Sequence, residues 1–272
     1  MLYMNNYIVL GDLHGDVELF KKMVTKCEEN NYGLICIGDY TDSIDFSKKH
    51  QKQLLHEMIC TYNLWKEKPI YLVGNHDIHY MTKLFNKFRT TDWSRSKHEL
   101  FFPIYMEMFR NGMLQFHHTD IANQILYTHA GLEKDIMLQL LDKEYSEFES
   151  ITIEEVDSRL IDHTPEMWEY LFNDKKYVDD LNYMLFDFGE YSGGIFQGGI
   201  FWCRPQEMEK NLPEGKRYPF TQVMGHTKIA KIYYESERLN TYFIDTLHDG
   251  TEDKQYLLVE NGKVTIQNVD DE

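Results

Sequence analysis

Three short apolar segments, each stopped by a glycine and separated by stretches of helical length, constrain the fold of this chain most. Tyr7-Ile8-Val9-Leu10 ends at Gly11, Leu34 to Ile37 ends at Gly38, and Ile70-Tyr71-Leu72-Val73 ends at Gly74. Short β-branched runs cut off by glycine read as buried strands followed by turns. After the first, Asp16 can cap a helix whose inner face is Leu19, Phe20, Met23, Val24 and Cys27, ending near Asn30-Asn31 and Gly33. After the second, a helix is expected from about Phe46 to Lys66, with Leu54, Leu55, Met58 and Ile59 facing inward. Strand, helix, strand, helix, strand implies parallel strands joined by crossover helices.

Two similar strand ends follow much later. Ile125 to Thr128 runs into His129-Ala130-Gly131, and Gln222-Val223-Met224 runs into Gly225-His226-Thr227. The C-terminal part reads as antiparallel strands at Ile229 to Tyr234, Thr241 to Ile244, Tyr256 to Val259 and Val264 to Gln267, with Asn261-Gly262 as a hairpin turn. Residues 78–120 and 133–192 interrupt the plan and are expected to be helical or irregular insertions, the second a possible cap. No linker divides the chain, so residues 1–272 are expected to form one α/β domain, with two central sheets flanked by helices. Gly-Gly-Ile-Phe occurs at 193–196 and again at 198–201, which reads as a turn-rich loop and not as a repeat architecture.

Charge excludes one class of function. The formal charge is −17, so a broad basic face for gripping nucleic acid is not expected. The acidity is uneven: residues 133–192 hold 17 acidic and 5 basic residues, a balance of −12, leaving −5 for the rest. No apolar run approaches the roughly 20 residues needed to span a bilayer. Met1 to Leu10 shows no basic n-region or cleavage site. Cys27, Cys36, Cys60 and Cys203 form no CxxC pair. A reduced cytoplasmic protein without membrane partners is expected.

Metal-ligand residue types fall immediately after each of the five strand ends. They are Asp12 and His14; Asp39 and Asp42; Asn75, His76 and Asp77; His129; and His226. In open α/β sheets, ligands bind beyond the carboxyl ends of strands, so these turns are expected to converge. Mixed carboxylate, imidazole and amide donors suit divalent manganese, iron or zinc. Each motif alone has a blander reading as a polar turn, a helix cap or a structural histidine; five together do not. Weaker candidates are His76 with His79, spaced as a zinc pair but lacking a third ligand nearby in sequence, and His117-His118 and His248, read as surface or strand-edge residues. The Gly193 to Gly199 stretch lacks a phosphate-loop lysine.

Five motifs together resemble the calcineurin-like metallophosphoesterases: Gly11-Asp12-Leu13-His14-Gly15, Gly38-Asp39-Tyr40-Thr41-Asp42, Gly74-Asn75-His76-Asp77, Thr128-His129-Ala130-Gly131 and Gly225-His226-Thr227. Order and spacing are most similar to the Ser/Thr phosphoprotein phosphatase branch, with its bacterial and phage members and the symmetrical dinucleoside tetraphosphatases. Phe201-Trp202-Cys203-Arg204 and Ile244-Asp245-Thr246 agree with that branch. The resemblance implies a four-layer α/β/β/α sandwich with helical insertions. It also implies two divalent ions, manganese first, with iron, zinc or nickel as alternatives. Asp12, His14 and Asp39 would hold one ion, with Asp39 bridging; Asn75, His129 and His226 would complete the second. His76 would be the general acid, oriented by Asp77, and Arg204 and Asn75 would bind the phosphate.

Two departures stand out. The family usually continues its second motif as Asp-Arg-Gly, and that arginine clamps phosphate; here the sequence is Asp42-Ser43-Ile44. A substitute is sought in the insertion after His76, where Lys83, Lys87, Arg89, Arg95 and Lys97 gather. Leu247 stands where glycine is common, which bears on the loop before the last hairpin. The expected activity is hydrolysis of phosphomonoesters through a metal-bridging hydroxide, in the manner of a protein phosphatase. The alternatives are a nucleotide-directed phosphoesterase, acting on a dinucleoside polyphosphate or a phosphodiester, and a non-catalytic binding scaffold.

Overall fold

The structure, a computed structural model, describes residues 6–82, 88, 90, 92–172, 184–194, 197–210, 212–247 and 253–270. Lys83, Lys87, Arg89, His248, residues 173–183 of the acidic segment and residues 195–196 of the glycine-rich stretch lie outside the described residues. The fold is mixed α/β with two sheets and flanking helices, and the chain divides into two compact units.

The first unit comprises Met1–Gln115, Lys228–Ile232 and Ile244–Glu272. Its strands β1 (Tyr7–Leu10), β2 (Gly33–Cys36) and β3 (Ile70–Leu72) pair in parallel, as the alternation predicts. Leu10 lies opposite Cys36, and Cys36 opposite Tyr71, so their carboxyl ends stand level at one edge of the sheet. Helix α1 (Val17–Asn30) starts where expected, with the Asp16 carboxylate accepting from the Leu19 amide at 3.0 Å. Asn31, in the left-handed conformation, ends it. Helix α2 (Lys48–Leu64), capped by Ser47, buries the four expected apolar residues and also Gln51. Helix α3 (Asn75–Met81) runs from the third motif into the first insertion, and α4 (Arg95–Arg110) lies within it. That insertion also contains strand β4 (Leu114–Gln115), which adds to β3 in parallel.

The second unit comprises Phe116–Thr227 and Tyr233–Phe243. Its five-stranded sheet runs β5 (His117–Asp120), β6 (Ile125–Thr128), β7 (Thr221–Met224), β9 (Thr241–Phe243) and β8 (Tyr233–Glu235). The pair His117-His118 thus lies on an edge strand. Parallel pairing of β6 with β7 sets Ile125 opposite Thr221, which brings the two following histidine turns to the same end. The acidic segment packs an apolar face inward. Its helices α5 (Lys134–Leu141) and α6 (Ile153–Phe172) bury Ile136, Leu140, Val156, Leu160 and Met167, and Trp168 packs 3.9 Å from Phe116, centroid to centroid. Helix α7 (Pro205–Lys210) follows Arg204.

The C-terminal strands differ from the expectation of a purely antiparallel set. Strand β9 pairs in parallel with β7, whereas β10 (Gln255–Glu260) and β11 (Lys263–Asn268) form the expected hairpin on β1 in the first unit. Residues 229–232 belong to no strand. Their amides instead donate to groups of the first unit: Ile229 to the Asp245 carbonyl at 3.0 Å and Ile232 to the Gln255 side chain at 2.8 Å.

Candidate active site

The level strand ends of the first unit bring three of the motif turns together. The His14 amide donates to the Asp39 carbonyl at 2.8 Å, and the His76 amide donates to Asp39 Oδ1 at 2.8 Å. His14, Asp39 and Asp42 all sit in the left-handed region, at φ of 43°, 52° and 68°. Asp and His tolerate this region better than most residues, and such strain gathers at functional turns. Gly74 is fixed by close approach: a Cβ there would overlap both the Asp39 carboxylate and its amide nitrogen.

One donor atom from each of Asp12, His14 and Asp39 lies within 4.8 Å of the others. His14 Nδ1 lies 2.9 Å from the Thr41 carbonyl oxygen, an orientation that leaves Nε2 for a ligand. Burial, the neighbouring His76 and, more weakly, Lys228 hold the pKa of His14 down at about 3, so its ring is neutral, the form that binds metal. Burial pushes the Asp39 carboxyl up to about 8; His76 opposes this, while Asp77 and Asp245 add to it. Two buried carboxylates and a neutral imidazole, with further buried acids behind them, form a donor set that fits a divalent cation. Asn75, also buried, begins α3 beside this group.

The sequence expectation that Asp77 orients His76 is corrected here. Asp77 accepts from the amides of Asp39 (2.8 Å), Tyr40 (2.9 Å) and Gly74 (2.8 Å), and from the Tyr105 hydroxyl (2.5 Å). It ties the second motif turn to the third and has no described bond to the His76 ring. The partner of that ring is Asp42, whose Oδ2 lies 3.1 Å from His76 Nδ1. Asp42 also meets His79 Nε2 at 2.7 Å, the Tyr80 hydroxyl at 2.5 Å and Lys97 Nζ at 2.8 Å. Burial opposes its charge, but the bonds and charges of His76 and His79 outweigh that and keep its carboxyl well below the usual range. Burial likewise works against a charged His76, yet Asp39 and Asp42 raise its pKa to about 9. The rings of His14 and His76 lie 5.4 Å apart, centroid to centroid.

Sequence reasoning missed Tyr80 and the roles of His79 and Lys97, since it paired His79 with His76 alone. The third ligand sought for His76 and His79 was 34 positions upstream of His76. With Lys97 already on Asp42, this cluster reads as a charge-balanced hydrogen-bonded hub. Of the basic residues proposed as substitutes, Arg95 pairs with Glu99 at 3.0 Å on the surface, and among the described residues Lys97 reaches Asp42 and the Asp92 carbonyl.

An open cleft adjoins His14 and His76. Ser43, Ile44, Phe46, Leu13 and Leu247 form much of its wall, Asp42, Asp45 and Asp92 are acidic lining residues, and Lys228 is, among the described residues, the lysine that lines it. The Ser43 hydroxyl accepts from the amides of Asp45 (3.0 Å) and Phe46 (2.9 Å), so it closes this turn. Gln51 of α2 braces the turn from behind, accepting from the Asp42 amide at 2.9 Å and donating to the Phe46 carbonyl at 2.7 Å. Leu247 is buried, 2% exposed, and supplies a wall where the family commonly has glycine.

In the second unit the remaining motif residues form their own cluster. The rings of His129 and His226 are 5.2 Å apart, and the Gly225 amide donates to the His129 carbonyl at 2.9 Å. His226 is left-handed at φ 61°. Arg204 is anchored on this turn, its Nη1 donating to the His226 carbonyl and the Thr227 hydroxyl, each at 3.2 Å.

The calcineurin-like phosphoesterase family profile matches residues 6–271, and the chain belongs to that family. It is a metal-dependent phosphoesterase. No curated protein matches it in sequence. Among solved structures it is similar to the cold-active protein-tyrosine phosphatase of a psychrophile, Shewanella sp., at TM-score 0.56 and 14% identity, covering 98% of this chain and 80% of that one. A second structure of a cold-active protein tyrosine phosphatase aligns at TM-score 0.65 and 16% identity, covering 98% and 77%. Likeness at these identities concerns the fold. Among the described residues, no helix is long and apolar enough to cross a membrane.

Proposed function

We propose that the chain hydrolyses phosphomonoesters with two divalent ions, manganese first, in the manner of a protein phosphatase acting in the cytoplasm. The observation that carries this reading is the His76–Asp42 pair standing beside the Asp12–His14–Asp39 donor group in one unit. The family resemblance assigns the second ion to Asn75, His129 and His226, with Asp39 bridging; the support within each unit is a buried Asn75 and a paired His129 and His226. Such ions, when bound, lower the pKa of water and neutralise phosphoryl oxygens. Asp42 orients the His76 ring and stabilises its cation, and Nε2 gives its proton to the leaving alkoxide. Asp77 holds the turns on which His76 and Asp39 sit. Arg204 offers its fork to phosphate oxygens.

A nucleotide-directed activity is the second reading, favoured by Ser43 at the position of the usual arginine, because a diester carries less charge to clamp. The deciding experiment compares turnover of p-nitrophenyl phosphate, bis-p-nitrophenyl phosphate, a phosphopeptide and diadenosine tetraphosphate with manganese present. Phosphomonoesters are expected to lead. A clear preference for the diester or the tetraphosphate overturns the first reading in favour of the second.

A further inference from the structure

The cleft beside His14 and His76 poses a charge problem. Asp42 is balanced by its own partners, but Asp45 and Asp92 also line the cleft, so an entering phosphate meets carboxylates, and Ser43 supplies no counter-charge. Three other lysines of the same unit are engaged: Lys97 on Asp42 at 2.8 Å, Lys231 on Asp253 at 2.9 Å and Lys254 on Asp16 at 2.8 Å. Lys228 is exposed and lines the cleft, and it makes no ion pair among the described residues. Its backbone is held in place, because the Ile229 amide donates to the Asp245 carbonyl at 3.0 Å and Leu247 lines the same cleft. Its charge is also felt at His14, where it works against protonation of the ring.

We propose that Lys228 holds the phosphoryl oxygens of the substrate in this cleft, supplying from the segment after Gly225-His226-Thr227 the positive charge that Asp42-Ser43-Ile44 lacks. The proposal rests on the phosphoesterase reading of the site. A lysine is a compact point charge on a flexible stem, whereas arginine presents a planar fork. Lys228 therefore contributes attraction more than orientation, and its loss is felt in binding before it is felt in turnover.

The test uses the full chain loaded with manganese, with Lys228→Ala, Lys228→Gln, Lys228→Arg and, as a control for loss of one nearby surface charge, Lys231→Ala. Binding of inorganic phosphate is measured by calorimetry, and KM and kcat with p-nitrophenyl phosphate. Lys228→Ala and Lys228→Gln are expected to weaken phosphate binding and raise KM by about tenfold, the order expected for losing one charge-assisted hydrogen bond. Metal content and kcat should change little. Lys228→Arg should restore binding, and Lys231→Ala should stay within about twofold, as exposed pairs contribute little. Unchanged phosphate affinity in Lys228→Ala and Lys228→Gln overturns the inference and leaves the phosphoesterase reading standing. If the wild type turns over no phosphate ester, that reading fails, and the phosphate titration still decides Lys228.

Discussion

His76 has two acidic residues that could orient it, and sequence adjacency favours the wrong one. Asp77 is its chain neighbour on α3, but successive helical residues point about 100° apart and do not face each other. Asp42 reaches the ring from another turn because φ at Asp42 is left-handed and Gln51 holds its amide. The two carboxylates should separate cleanly on substitution. Asp42→Asn should keep bound manganese but lower kcat by about 10²-fold to 10⁴-fold toward esters with poor leaving groups, the range for general acid catalysis. Asp77→Asn keeps one acceptor oxygen but turns the other into an NH2 group facing two of the four donors, and it removes the buried charge, so it should destabilise folding by roughly 3 kcal/mol or more. Kinetics with phenyl phosphate and urea unfolding check the pair; equal melting curves for Asp77→Asn and wild type would sink the structural role given to Asp77. Ligand types after strand ends were legible at this scale, since each follows an apolar run and a turn. The Asp42 pairing and Lys228 were not, because contacts across turns leave no periodic trace.

At the scale of elements, what held was what repeats locally. Strands β1, β2 and β3 and helices α1 and α2 carry apolar runs or helical spacing long enough to read, and they appear within a few residues of expectation. Strand β4 has two residues and no pattern, and β9 looks like any short strand, so neither its partner nor its direction could be read. The acidic segment was harder because its charges mask the apolar face that α5 and α6 bury. Gly74 is an element-scale constraint with a direct test. It joins β3 to α3 at a point where the chain touches the Asp39 carboxylate and amide. Gly74→Ala should therefore cost about 1–3 kcal/mol, the usual range for overpacking, and should also weaken manganese binding by displacing Asp39. Melting temperature and bound metal after gel filtration check this. Full metal occupancy in a stable Gly74→Ala protein would show that the close approach relaxes without cost.

For the whole molecule, the distribution of charge matters more than its sum. The −12 of residues 133–192 leaves the other residues at −5, and the acids at the first unit's strand ends are buried, not displayed. Buried carboxylates without a cation oppose folding, and the pH dependence of stability should reveal it. The Asp39 carboxyl is raised to about 8 and the His76 ring to about 9. A group whose folded pKa is raised binds more protons in the folded state, so its contribution to stability falls as pH rises toward that value. Above the ordinary histidine value of 6.5, both groups act in the same direction, whereas the lowered pKa of Asp42 lies far below this window and adds no slope. Chelator-treated protein should accordingly lose melting temperature steadily between about pH 6.5 and 9. If Asp12, His14 and Asp39 hold manganese, the ion would replace the proton as the counter-charge, so added manganese should raise the melting temperature and flatten that slope, most strongly at the alkaline end. Thermal melts across the window, with and without manganese, measure both quantities. A chelated protein whose stability is flat or rises with pH, or one that manganese stabilises no more at pH 8.5 than at pH 6.5, would mean that these buried acids are balanced by the protein itself and do not depend on metal.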